Sequence, residues 1–238
     1  MIDTFVVVGY TLIPVIATLL GGILASVIRM NQTISSYLEH LVAGIVIAAV
    51  SVELIPEILQ TDTPISTTIG FGLGVLVMIL IHFLIHFISD RGIGKILPLG
   101  IILAAIIDLF IDGVLIGVSF IAGTDSGILI AISLSFCAFF LTATVLSRMK
   151  SLQNSTISRV VILILIAIAL PIGAFVGTEV IHLLPTEYFV EVLAFGVAAL
   201  LFLGIEELLR EAHKVEDNHL TPVLFFLGFW AVLIFKML

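Results

Sequence analysis

Eight stretches of about twenty apolar residues, broken only by short polar clusters, dominate this 238-residue chain. A bilayer's hydrocarbon core is about 30 Å thick, and a helix rising 1.5 Å per residue crosses it in roughly 20 residues. Backbone polar groups in hydrocarbon must be bonded within their own segment, so stretches of this length are helices. They run approximately over 5–28, 38–59, 66–89, 98–123, 126–147, 158–182, 187–209 and 220–238. The expected fold is an all-α membrane protein of eight transmembrane helices, one domain over 1–238. Turn residues fill the interruptions, including Thr61-Asp62-Thr63-Pro64, Gly123-Thr124-Asp125 and Pro185-Thr186, and none is long enough for a soluble domain. Residues are 61% hydrophobic and 11% charged, whereas a soluble domain has about 45–50% apolar and ~25% charged residues.

Nine basic residues stand against 17 acidic ones, for a net charge of −8. A nucleic-acid backbone needs clustered Lys and Arg, so no nucleic-acid partner is expected and the lipid bilayer is the surrounding. Cys137, the single cysteine, closes no internal disulfide. The first apolar stretch lacks a basic leader and reads as a retained span.

Basic residues concentrate on one face. Arg29, Arg91, Lys95, Arg148, Lys150, Arg159, Arg210 and Lys214 all fall at connections one, three, five and seven, and Lys236 alone lies opposite. That bias predicts a cell-membrane (plasma-membrane) protein with the odd connections cytoplasmic and both termini outside. Asn31-Gln32-Thr33 and Asn154-Ser155-Thr156 then face the cytoplasm as unmodified loop residues.

An internal repeat is suggested by Glu53-Leu54-Ile55-Pro56-Glu57 and Glu207-Leu208-Leu209-Arg210-Glu211, 154 residues apart, and by Pro14 and Pro171 at an offset of 157. Paired spans are offset by five in the helix order, so the copies enter the membrane from opposite sides, as inverted repeats do. Repeat one covers about 5–89, linking helices about 98–147, and repeat two about 158–238, a 3+2+3 arrangement. A chance match of Leu-rich segments is the alternative.

Asp108 and Asp112 lie in the middle of the fourth span, on one helix face at i,i+4. A carboxylate at mid-bilayer costs about 2.5–3.5 kcal/mol, so the pair must face a cavity, a cation or a proton donor. No Lys or Arg lies in the middle of any span. A bound metal ion, a shared proton or water remain. Glu53 and Glu57 form a second such pair near the outer end of span two, and Glu206, Glu207 and Glu211 sit near the inner end of span seven. Glu53 and Glu206 are read as the deeper members, lining a cation route or capping the interface. His82 and His86 repeat the spacing in span three, where they can reach one metal ion or pack. Glu179 and His182 mark the outer end of span six, and His213, Glu216, Asp217 and His219 a polar cytoplasmic loop. Gly113 and Gly117 clear one stripe of span four for close packing.

The run from Asp108 through Asp112-Gly113 to Gly117-Val118-Ser119 resembles the fourth helix of the Zrt/Irt-like (ZIP) divalent-metal transporters, whose pattern is close to His-[Ser/Asn]-x-x-[Asp/Glu]-Gly-x-x-[Ile/Leu]-Gly. Gly44 with Glu53-Leu54-Ile55-Pro56-Glu57 looks like their second helix, and Leu170-Pro171-Ile172-Gly173-Ala174 like their sixth. The resemblance spans essentially the whole chain and implies a ZIP-like eight-helix bundle with a 3+2+3 inverted repeat and outward termini. It also implies a metal site on helices four and five, where Asp112 matches the family carboxylate and Asp108 replaces a His. Ser133, Leu134 and Cys137 stand where the fifth helix carries His-[Glu/Asp]-x-x-Glu, and Leu170 replaces the sixth-helix Glu.

The implied metal residues are Asp108, Asp112, Cys137, Ser133, Glu53 and Glu57. The function expected is transmembrane transport of divalent ions of the zinc, iron or manganese class. The metal is cargo, no prosthetic group is expected, and a homodimer is the assembly allowed. Oxygen-dominated ligation favours Mn²⁺, Fe²⁺ or Mg²⁺ over the His-rich preference for Zn²⁺. A second reading is a non-transporting ZIP-like sensor or partner protein whose aspartates stay protonated. A third is an intramembrane metal-dependent hydrolase built on His82 and His86. It ranks last, and no enzyme is expected, because the chain carries no His-Glu-x-x-His motif and no other mid-span His.

Overall fold

The computed structural model describes residues 3–27, 32–90, 99–213 and 219–237, which are helical and contain no strand. Among them are eight helices long and apolar enough to cross a membrane: α1 Thr4–Ala25, α2 Ser36–Leu59, α3 Pro64–Leu84, α4 Ala105–Ala122, α5 Thr124–Ser151, α6 Thr156–Leu183, α7 Thr186–Leu209 and α8 Leu220–Met237. The chain is an all-α integral membrane protein. Each expected span coincides with one helix. Several helices outrun their apolar stretch, because polar residues at an interface still complete the backbone ladder: helix continues back to Gln32 before α2 and forward to Ser151 in α5. Arg29, Asn31, Arg91, Lys95, Lys214, Glu216 and Asp217, and the side chains of His86 and Glu211, lie outside the described residues.

Two kinds of irregularity interrupt the helices. In α1 the ladder breaks between Tyr10 and Leu12, where Pro14 has no N–H to offer the Tyr10 carbonyl. In α2 and α7 the chain widens into π-helix, over Val50–Leu54 and Leu203–Leu209. A π turn bonds i to i+5, so it inserts a residue and rotates the rest of the helix onto a new face, an arrangement frequent at functional sites.

Four helix pairs dominate the packing: α4 on α6, α1 on α5, α2 on α8 and α3 on α7. Exchanging α1–α3 with α6–α8, and α4 with α5, turns this set of pairs into itself. Glycine brings the backbones together in them. A Cβ on Gly113 would overlap the Leu170 carbonyl, and one on Gly173 the Phe110 carbonyl, so α4 and α6 touch main chain to main chain. Gly44 and Gly228 do the same between α2 and α8. Lesser contacts join the pairs, α2 to α5 and α7, and α4 to α3, α5 and α7.

Burial follows this layout. α5 is 61% buried and α2 and α4 are 56% buried, whereas α3 and α8 are 17% buried and present Leu76, Leu80, Phe226 and Trp230 outward. The central helices are thus α2, α4 and α5, which carry most of the polar side chains of interest.

Candidate functional site

Asp112 sits near the middle of α4 and is 1% exposed. Its Oδ2 is buried and accepts no hydrogen bond from any protein donor. Leaving a carboxylate oxygen unmatched in a low-dielectric interior costs free energy, so such an atom calls for a cation or a proton. Asp108, one turn away on the same face, is half-buried.

The partner that faces these aspartates comes from α7. Glu207 lies within the π-helical Leu203–Leu209 segment and is turned inward, while Glu206 is exposed. Glu206, expected to lie deeper than Glu211 and to line a cation route or cap the interface, is therefore not the acid that joins the group. Glu207 continues the inward face that Leu200 and Leu203 begin, and it meets α4. The Asp108 and Glu207 carboxyls face each other closely enough to share a proton, and both lie in electrostatic range of Asp112. Arg210, one turn further on, is the cationic neighbour of Glu207. The signal that could have found Glu207 was its 154-residue correspondence with Glu53.

Cys137 of α5 completes the group. It is buried and in electrostatic range of Asp112, Asp108 and Glu207. Ser133, one turn earlier, is buried too, but its hydroxyl donates to the Leu129 carbonyl of its own helix at 2.8 Å. Three carboxyls and a thiol from α4, α7 and α5 thus lie within electrostatic range of one another. Among the described residues no three His, Cys, Asp or Glu side chains converge tightly enough to enclose a metal ion. In this conformation the group is a charged neighbourhood rather than a closed coordination sphere.

Glu53 and Glu57 lie elsewhere. Glu53, in the π-helical Val50–Leu54 segment of α2, is 5% exposed. Its Oε2 accepts from the Ser126 hydroxyl of α5 at 2.6 Å, and its Oε1 meets the Lys236 ammonium of α8 at 2.6 Å. Glu57, one turn on, is half-buried. The six residues expected to hold metal therefore divide between two places, with Ser133 turned to its own backbone.

Two cavities open elsewhere in the bundle, and neither is lined by Asp108, Asp112, Cys137 or Glu207. One of about 490 Å³ is lined by Val7, Gly117, Thr178 and His182 and opens beside Gly123 and Thr124. Gly117 is five residues from Asp112 on α4, roughly 7.5 Å along the helix. At the rim, Thr4 donates to Glu179 at 2.7 Å, and His182 Nδ1 lies 3.3 Å from the Thr4 hydroxyl and 3.9 Å from Glu179. The other cavity, about 650 Å³, is lined by His40, Leu209, His213, His219 and Phe225. His40 donates from Nδ1 to the Ser36 carbonyl at 2.8 Å and His213 from Nδ1 to the Leu209 carbonyl, and the two rings meet edge to face.

Of the two readings of His82, a metal ligand or a packed side chain, its contacts favour the second. Its Nε2 accepts from Arg210 Nη2 at 2.9 Å, which places a guanidinium where a metal ion would have to bind. A search against known protein families and against characterised proteins finds no match to this chain.

Proposed function

We propose that this protein carries divalent metal cations, of the zinc, iron or manganese class, across a cell membrane along a carboxyl-lined path between α4, α5 and α7. The observation that carries the reading is the unpartnered Oδ2 of the fully buried Asp112, set beside Asp108, Glu207 and Cys137. A buried anion of this kind is stabilised by a transient cation or a proton, and a permeation site benefits from holding its ion loosely. The π-helical segments support a functional role for Glu53 and Glu207. The likeness of the α4 sequence to ZIP transporters points the same way. In this reading the odd connections face the cytoplasm, the termini face outward, and oxygen-rich ligation suits Mn²⁺ or Fe²⁺ better than Zn²⁺.

One observation favours the second reading, a ZIP-like protein that senses or assembles without transporting: among the described residues no three ligating side chains converge. Uptake of Mn²⁺, Fe²⁺, Zn²⁺ and Cd²⁺ into liposomes containing the purified protein decides between them. The transport reading requires uptake of at least one ion that Asp112→Asn abolishes, and no uptake of any ion retires it.

A further inference from the structure

The Glu53 carboxylate is held as a cation site is held, and the cation in it is the protein's own. Its side chain is 4% exposed, one oxygen takes the Ser126 hydroxyl at 2.6 Å, and the other takes the Lys236 ammonium at 2.6 Å. Lys236 is 46% exposed over its side chain, so the ammonium reaches in from the edge while the carboxylate lies behind it. A buried anion that lost this partner would be left uncompensated, which is strongly unfavourable.

The corresponding place in the other half of the chain differs in kind. Glu207 stands 154 residues after Glu53, and His82 stands 154 residues before Lys236. There the residue in the lysine's position is an imidazole that accepts from Arg210, and the glutamate faces Asp108 instead of an ammonium. Glu53 is therefore paired directly with an ammonium, whereas Glu207 faces a second carboxyl and has Arg210 as a neighbour.

We infer that Glu53 and Ser126 form a peripheral cation-binding site, and that Lys236 occupies it as an intramolecular competitor which an incoming hard cation must displace. The role of this site as the outer mouth of a path rests on the transport reading, but binding at Glu53 does not. An ammonium held on a short tether competes at high effective concentration, so its removal raises the apparent affinity of the site for a free cation.

Mn²⁺ binding to the purified protein, read from the electron paramagnetic resonance signal of free Mn²⁺, tests the inference in an Asp108→Asn, Asp112→Asn, Glu207→Gln background that removes the three central carboxylates. Lys236→Gln is expected to tighten Mn²⁺ binding about tenfold or add a site. Lys236→Arg should behave as the parent, and Lys236→Gln with Glu53→Gln should lose the gain. An unchanged Mn²⁺ affinity in Lys236→Gln, or a gain that survives Glu53→Gln, overturns the site. Liposome uptake by the same Lys236 and Glu53 variants with Asp108, Asp112 and Glu207 intact separates the two ideas. A Glu53-dependent gain in binding without uptake by any variant keeps the site and retires the permease. Asp112-dependent uptake with no gain in binding does the reverse.

Discussion

Glu207 faces Asp108 across the contact between α7 and α4, acid against acid, with Arg210 as the cationic neighbour of the glutamate. Two carboxylates held this closely repel unless a proton or a cation lies between them. A divalent ion that binds there therefore displaces a proton. Proton release on binding weakens cation affinity as pH falls, and the affinity should recover as pH rises. Glu207→Gln removes one of the two competing acids, so Mn²⁺ uptake by that variant should depend less steeply on pH than uptake by the parent. Parallel pH profiles for the two proteins would refute the pairing as the locus of exchange.

Asp112 should matter through its charge. Asp112→Asn keeps the size and removes the anion, and uptake is expected to fall at least about tenfold, equivalent to roughly 1.4 kcal/mol. Initial rates in proteoliposomes check this. Unchanged rates in both Asp112→Asn and Asp108→Asn would remove these residues from the path.

Cys137 reports on the same place from α5. Bound cation beside Asp112 should shield the thiol, so millimolar Mn²⁺ ought to slow its modification by a small maleimide in the detergent-solubilised protein. Labelling at a metal-independent rate counts against the thiol's share in the site.

Backbone contact between α4 and α6 makes a stability prediction. Gly113→Ala and Gly173→Ala push a methyl into a facing carbonyl, and overpacking of this kind costs about 1–3 kcal/mol. Gly72→Ala meets open space and should be neutral or slightly stabilising. Thermal unfolding of the three variants in one detergent distinguishes these outcomes, and equal midpoints would contradict the packing.

Orientation rests on charge placement. A membrane-impermeant thiol reagent should label cysteines introduced at Asp62, Asp125 or Thr186 on intact cells, and one at Asn154 only after permeabilisation. The opposite pattern inverts the proposed topology.

Hydropathy made the eight helices legible, because each must satisfy its backbone alone in lipid and so must be long and apolar. Asp108 and Asp112 were legible for the same reason, as charges where none is tolerated without purpose. The facing residue was not, since which of the adjacent Glu206 and Glu207 meets α4 depends on how α7 is turned against its neighbours. Ser133 sits at a plausible spacing from Cys137, but a hydroxyl in a buried helix can satisfy itself on its own backbone, and this one does. Lys236 reads as an ordinary interfacial lysine until α8 is laid against α2. Each miss concerns which way a side chain turns or what a neighbouring helix brings, and neither is written in one helix's sequence.

The glycine contacts have a mechanical consequence. Helices touching main chain to main chain cannot slide past each other without first separating, so α4 with α6, and α2 with α8, behave as stiff blocks. The Asp108–Glu207 pairing spans α4 and α7, and the Ser126–Glu53 hydrogen bond spans α5 and α2, so both cross from one block to another. Any slippage the bundle allows is thereby concentrated along the seams where its acids meet.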